Sequence, residues 1–440
     1  MKTLHFAGRS RTLRAIRPAA IAAALAACGA AHAATEVVVW HTLAGASQQE
    51  FEALAKQFNG EQKDVRVVLK AFASPDALRS ETAKALAAKQ RPHLVQLRDN
   101  HSPEVIAEHQ DILPMYRLLA SYPIKDLAWF LPQTSSFVRD GRGRLLAFPF
   151  MAEVPVMFYN LDAYKKAGLD PARPARTWAD LQGELLQLRG AGYACPYVTS
   201  QQVAVHFENL AAVNKKPYST SDNGFASGQP ALRFDSLYMR HLALMVTWKR
   251  SQLLTAHTQD NSADAMFAKG DCAVLTSGTG ALGALERAKG LSFGVAPLPY
   301  YEQATRVAGR PFVSGSALWA LSGHSNEDDK ATAAFLAFLA KPVVAAQWHQ
   351  RTGYLPLTQG AYTASEVSFY SRIPGAQQVI AAMREAGGGD TSRGFRLPNY
   401  PRVSAVLDSS FETALSGSMP PVQVLNQAAA QSKAIMQQRR

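Results

Sequence analysis

Between residues 36 and 97, short β-branched runs alternate with segments of helical periodicity, and this alternation constrains the fold more than any other feature of the chain. Glu36-Val-Val-Val-Trp40 reads as a buried strand. Ser47 and Glu50 have capping-box spacing, and Phe51, Leu54, Ala55 and Phe58 follow at intervals that place them on one helical face. Val65 to Phe72 reads as a second strand. Pro75 opens the next helix, where its missing N–H costs nothing, and His93 to Leu97 is a third apolar run. Strand, helix, strand, helix, strand is the rhythm of a parallel α/β sheet, since parallel neighbours need a covering crossover between them.

The rhythm continues. Leu145 to Tyr159 is a long apolar stretch interrupted by Glu153 and Pro155, and Thr177 with Asp180 caps a helix to about Leu188. Asp222-Asn223-Gly224 is a turn signal, and Gly387–Gly389 reads as a flexible surface loop. Cys272 to Thr276, Phe293 to Leu298 and Ser316 to Leu321 read as strands. Helices are expected from about Asp328 to Ala340 and after Pro420-Pro421. A chain of 440 residues exceeds one ordinary domain, so two or three are expected.

The first residues bear on compartment. Lys2, Arg9, Arg11, Arg14 and Arg17 precede an apolar stretch from Pro18 to Ala31, then Ala31-His32-Ala33. Basic, apolar and small-x-small regions in that order read as a secretory signal over residues 1–33. Lipid attachment at Cys28 is the alternative. Removing these residues lowers the formal charge from +12 to +7, and the remaining basic residues form no stripe that would suit nucleic acid. Cys195 and Cys272 are then either a disulfide in an oxidising compartment or two small buried hydrophobes.

Signals of catalysis are scarce. The histidines lack metal-ligand spacing, no CxxC pair occurs, and no G-x-S-x-G elbow is present. Gly278-Thr-Gly280-Ala-Leu-Gly283 matches a dinucleotide fingerprint, but it lies deep in the chain rather than in an opening βαβ unit. A Gly-rich turn offering backbone N–H groups to a polar ligand is the preferred reading. Asp99 follows a buried strand at the carboxyl edge where open sheets bind ligands. Glu153 interrupts an apolar strand, either as a solvated strand-end charge or as an acceptor of ligand hydroxyls in a cleft.

Several longer segments add a resemblance: Val38-Val-Trp-His41, Phe158-Tyr-Asn-Leu-Asp-Ala-Tyr-Lys-Lys-Ala-Gly168, Thr177-Trp-Ala-Asp-Leu181 and Gly270-Asp-Cys-Ala273. Ser314-Gly-Ser-Ala-Leu-Trp319 and Trp348-His-Gln-Arg-Thr-Gly-Tyr-Leu-Pro356 complete the set. In this order they resemble the extracellular solute-binding family of ABC importers, in its glycerol-3-phosphate-binding branch. The resemblance implies a periplasmic-binding-protein fold of two α/β lobes, joined by crossing hinge strands, with a ligand cleft that closes by hinge bending. It places residues 34–152 plus 297–332 in the first lobe and 153–296 plus 333–440 in the second. It further implies a periplasmic monomer without cofactor or enzymatic activity, whose partners are a small polar ligand and an inner-membrane permease; the rival class is a secreted hydrolase on the same architecture.

Site residues carry over unevenly. The family's acidic, glycine and tyrosine positions are matched by Asp99, Gly315 and Tyr354. Its two serines fall on Glu153 and Gly278, its arginine on Ser404, its tryptophans on Gln201 and Ala204, and a tyrosine on Pro75. Arg396 and Arg402 stand close enough in sequence to replace the missing arginine at a phosphate, although the register argues against Arg402. A ligand branch follows: either the family's phosphate ester, or a sugar, polyol or choline-bearing molecule without an exposed dianion.

Overall fold

The computed structural model describes Met1, Thr3, and residues 34–97, 106, 109–130, 136–255, 262–365, 367–384 and 392–438. Apart from Met1 and Thr3, the expected leader with its Cys28 lies outside the described residues, as do Asp99 and the Gly387–Gly389 loop. Within them the strands form two sheets, flanked by helices.

In the first sheet, β1 (Thr35–His41) lies parallel between β2 (Val65–Ala71) and β3 (Leu94–Leu97), as the opening alternation predicts. This sheet also contains β4 (Ile112–Leu113) and β5 (Phe148–Glu153). The chain then changes sheet: β6 (Pro155–Asn160) pairs in the second sheet, leaving Val154 as the single residue between. Proline suits this first position of a strand, where no ladder donor is required. The second sheet is completed by β7 (Cys195–Thr199), β8 (Leu254–Thr255), β9 (Cys272–Gly278) and β10 (Phe293–Pro297). The chain returns through β11 (Ser314–Leu321), antiparallel to β3, β4 and β5. The apolar run from Leu145 to Tyr159 is therefore two strands in two sheets, with Glu153 and Pro155 at the junction.

The helix Asn326–Ala340 runs unbroken through residue 333, near which a third crossing is expected, and packs on β1. The helix Pro342–Thr352 packs on the helix Gly45–Glu61. Farther on, Ala376–Arg384 packs on β10, and Tyr400–Ser416 packs on Pro421–Gln437 and Ser236–Arg250.

One core joins the first sheet to one face of the second, bringing Phe51, Phe150 and Trp348 together with Phe158, Leu275 and Val295. Another core covers the opposite face of the second sheet, around Trp178, Trp248, Tyr400 and Phe411. No single described helix is long and apolar enough to cross a membrane.

Two local expectations change. The first helix starts at Gly45, with Ala44 as its cap and no side-chain cap bond, so Ser47 and Glu50 lie inside it rather than forming a capping box. Glu50 instead accepts from Gln347 Nε2 at 2.7 Å, a tertiary contact that competes with local capping. Of the two readings for the cysteines, the structure supports the disulfide: Cys195 and Cys272 face each other in register on β7 and β9 and are bonded.

Candidate functional site at the crossing between lobes

Glu153 ends β5 immediately before the chain changes sheet, and it is 6 % exposed. Its Oε2 accepts from the Gly280 backbone N–H at 3.2 Å, and its Oε1 accepts from Gln201 Nε2 at 3.2 Å. Both donors are neutral. A carboxylate offers about four acceptor positions, so two bonds leave capacity for further donors. Burial with neutral donors alone leaves the negative charge to be met by a cation or by hydroxyls from elsewhere.

Four residues singled out from the sequence meet here. Gly278 ends β9 opposite Pro155, and a Cβ placed on it would lie 2.2 Å from Glu153 Oε2. Gly315 pairs with Ala152 in the β5–β11 ladder. Its φ of +114° and the Met151 carbonyl, 2.1 Å from where a Cβ would sit, both require glycine. Tyr354 Cε1 lies 2.9 Å from the corresponding Cβ position on Gly280. Its ring stacks on Trp348 with centroids 5.6 Å apart, and Trp348 stacks on Phe150 of β5 at 4.2 Å. The Trp348 indole also donates to the Phe150 carbonyl at 2.7 Å, which fixes this aromatic column to the strand that carries Glu153. Gln201, Gly280 and Tyr354 are half-buried, so the cluster reaches the surface on that side.

The Gly278–Gly283 motif now has a physical explanation. Gly278 and Gly280 leave room for Glu153 and Tyr354. Gly283 lets its short helix approach the Arg351 carbonyl, 2.2 Å from where a Cβ would sit. Gly278 and Gly280 thus pack around a carboxylate, in space that a dinucleotide would need.

The remaining candidates lie on other elements. Ser404 is half-buried on the helix Tyr400–Ser416. Arg402 is exposed on the same helix and donates to Gln438 Oε1. Arg396 is half-buried, donates to the backbone carbonyl of Arg139, and lies over the Phe225 ring at 5.1 Å. Gln201 is a residue of this cluster that the residue pattern missed. Its left-handed backbone, φ 51°, carries no sequence signal in a glutamine, and the family comparison marks only that a tryptophan is replaced there.

One cluster away from this site has the composition of a metal centre. His93, His324 and Asp328 bring ligand atoms within 4.8 Å of one another. His93 Nδ1, however, accepts from Val38 N–H at 3.0 Å, which leaves the ring proton on Nε2, facing Asp328 Oδ1 at 3.8 Å. A protonated nitrogen cannot ligate a cation, so this histidine bonds to β1 and faces the helix Asn326–Ala340 instead.

The bacterial extracellular solute-binding protein model matches residues 53–375. The chain belongs to that family. Among its relatives, the sn-glycerol-3-phosphate-binding periplasmic protein of Escherichia coli K12 is 32% identical over 433 residues, covering 97% of this chain and 96% of that protein. The protein of the same name from Pectobacterium atrosepticum is 32% identical over 431 residues, covering 97% of each chain. This solute-binding protein also shares its fold with UgpB from Mycobacterium tuberculosis, solved in complex with glycerophosphocholine. That likeness has a TM-score of 0.73 at 19% identity, covering 92% of this chain and 98% of the other. Maltose-bound MalE3 of T. maritima likewise gives a TM-score of 0.73 at 17% identity, covering 91% of this chain and 100% of the other. The two-lobed architecture with crossing strands is thus that of the family, and β5–β6 is one crossing, with Glu153 beside it.

Proposed function

We propose that this protein is the periplasmic capture component of an ABC importer, taking a small hydroxylated ligand between its lobes and delivering it to a membrane permease without chemical change. The relatives' role and the basic, apolar, small-residue order of residues 1–33 support export to the periplasm, with the leader cleaved after Ala33.

The ligand is a glycerophosphodiester with a neutral or cationic head, or a sugar or polyol, in preference to free glycerol-3-phosphate. The observation that carries this reading is the buried Glu153 carboxylate with two neutral donors. At about 4 Å, and with an effective dielectric near 20, each charge on a phosphate dianion would meet roughly 4 kcal/mol of repulsion from it. A choline head or a row of hydroxyls would instead satisfy its remaining acceptor positions, and the Tyr354–Trp348 column offers aromatic faces nearby.

The test is calorimetric titration of the mature protein with glycerophosphocholine, maltose, glycerol and glycerol-3-phosphate, with the ligand recovered afterwards and checked for turnover. The expected result is stoichiometric, micromolar binding of glycerophosphocholine or a neutral ligand, intact on recovery, with glycerol-3-phosphate at least about tenfold weaker. Glycerol-3-phosphate as the tightest ligand would overturn the ligand assignment, and hydrolysed product would overturn the binding role.

A further inference from the structure

Gly278 has ordinary extended backbone, φ −69° and ψ 153°, which any residue adopts, so the main chain does not require glycine there. What a side chain there would meet is the ends of Glu153 and Gln201. A Cβ at 278 would lie 2.2 Å from Glu153 Oε2 and 2.7 Å from Gln201 Nε2. One at Gly280 would lie 2.8 Å from the same Glu153 oxygen. A side chain at either position would push the Glu153 carboxylate from the place it holds between Gln201 and Gly280. Gln201 shows a complementary oddity. It holds φ at 51°, a region that costs a non-glycine residue of order 1 kcal/mol or more, and from there its amide reaches Glu153 Oε1. Strain of this kind persists where surrounding contacts over-determine it.

We infer that Glu153, Gly278 and Gln201 form one coupled specificity device, in which the Glu153 side chain occupies the room of a side chain at 278 and Gln201 aims its carboxylate. This inference rests on the ligand reading above and extends it. Residues 153 and 278 must change together. A short side chain at 153 leaves room for a short one at 278, whereas glutamate at 153 keeps its carboxylate against Gln201 and Gly280 only with glycine at 278. The device makes the hinge end of the cleft acceptor-rich and hostile to anionic heads. Gln201 is a positioning residue, since it acts on the ligand through Glu153.

The experiment compares Gly278→Ser, Glu153→Ser, the double variant and Gln201→Gly, using thermal unfolding and titration with glycerophosphocholine and glycerol-3-phosphate. Gly278→Ser alone is expected to lower Tm and to weaken glycerophosphocholine binding at least about tenfold. Adding Glu153→Ser to it should restore Tm and tighten glycerol-3-phosphate binding at least about tenfold relative to the unaltered protein. Gln201→Gly relieves the backbone but removes a donor from the buried carboxylate, so it should change Tm little while lowering the preference for glycerophosphocholine, a split that a merely structural residue would not give. Additive losses of Tm in the double variant would overturn the coupling, whatever the ligand. Restored Tm with unchanged ligand preference would overturn the role in specificity. If neither probe binds the unaltered protein but Tm is restored in the double variant, the coupling stands and the ligand reading fails.

Discussion

The guanidinium of Arg396 donates to the backbone carbonyl of Arg139, linking a segment packed with the core of the second sheet to one packed with the first. The Arg396 backbone N–H in turn donates to the Asn223 carbonyl at 2.8 Å, and Asn223 Nδ2 donates to the Gly394 carbonyl at 3.2 Å. Gly224 must be bare because a Cβ would lie 1.8 Å from the Arg396 carbonyl oxygen. The turn at Asp222-Asn223-Gly224 thus holds this arginine in place.

That relationship predicts a latch. A charge-assisted hydrogen bond to a carbonyl contributes about 1.5–3 kcal/mol, and this one joins segments packed on the two different cores. Arg396→Ala should weaken the tightest ligand about tenfold, chiefly through faster dissociation. Stopped-flow fluorescence with thermal unfolding of the unliganded protein would check it. Unchanged dissociation, or an equal effect on unliganded Tm, would show that the bond does not hold closure.

The Cys195–Cys272 disulfide spans 77 residues and joins β7 to β9, the strand that ends at Gly278. Closing a loop of that length removes roughly 4 kcal/mol of unfolded-state chain entropy. The Cys195→Ser, Cys272→Ser double variant should therefore melt several degrees lower, and the unaltered protein should do the same under reductant. Calorimetry with and without dithiothreitol would test this, and coincident melting curves would contradict it.

Stability should also depend on Glu184. Burial pushes its carboxyl up from 4.5 to about 7, although the Tyr164 hydroxyl donates to it at 2.6 Å. The folded protein then binds this proton more tightly than the unfolded chain, so the associated stability is present below pH 4.5 and is lost as pH rises through about 7. Glu184→Gln keeps an acceptor for Tyr164 and removes the buried charge. It should raise Tm at pH 8 and change it little at pH 4.5. An equal effect at both values would contradict the assignment.

Much of this was readable from local pattern. Val37, Val39, Phe51, Leu54 and Phe58 are buried as their spacing predicts, because strand and helix periodicities report which face meets the core. Pro75 and Thr177 open their helices because capping chemistry acts within a few residues. The Ser47–Glu50 pair failed for the converse reason: Gln347, far along the chain, captures Glu50.

The site was legible in part. Glu153, Gly278, Gly315 and Tyr354 could be singled out because each breaks a local expectation or matches a family position. Their mutual distances could not, since they lie on four segments of the chain. The two roles open to Glu153, solvated charge or cleft acceptor, differ only in what surrounds it.

By itself, then, the sequence determined the α/β alternation, the helix starts and the residues worth watching, since these depend on short-range periodicity and backbone chemistry. Only the tertiary structure decided that the run from Leu145 to Tyr159 splits between two sheets, that Cys195 meets Cys272, and that Glu153 fills the space beside Gly278. Those outcomes depend on which distant strands pair and in what register, and a single residue of register would turn each of these side chains to the opposite face.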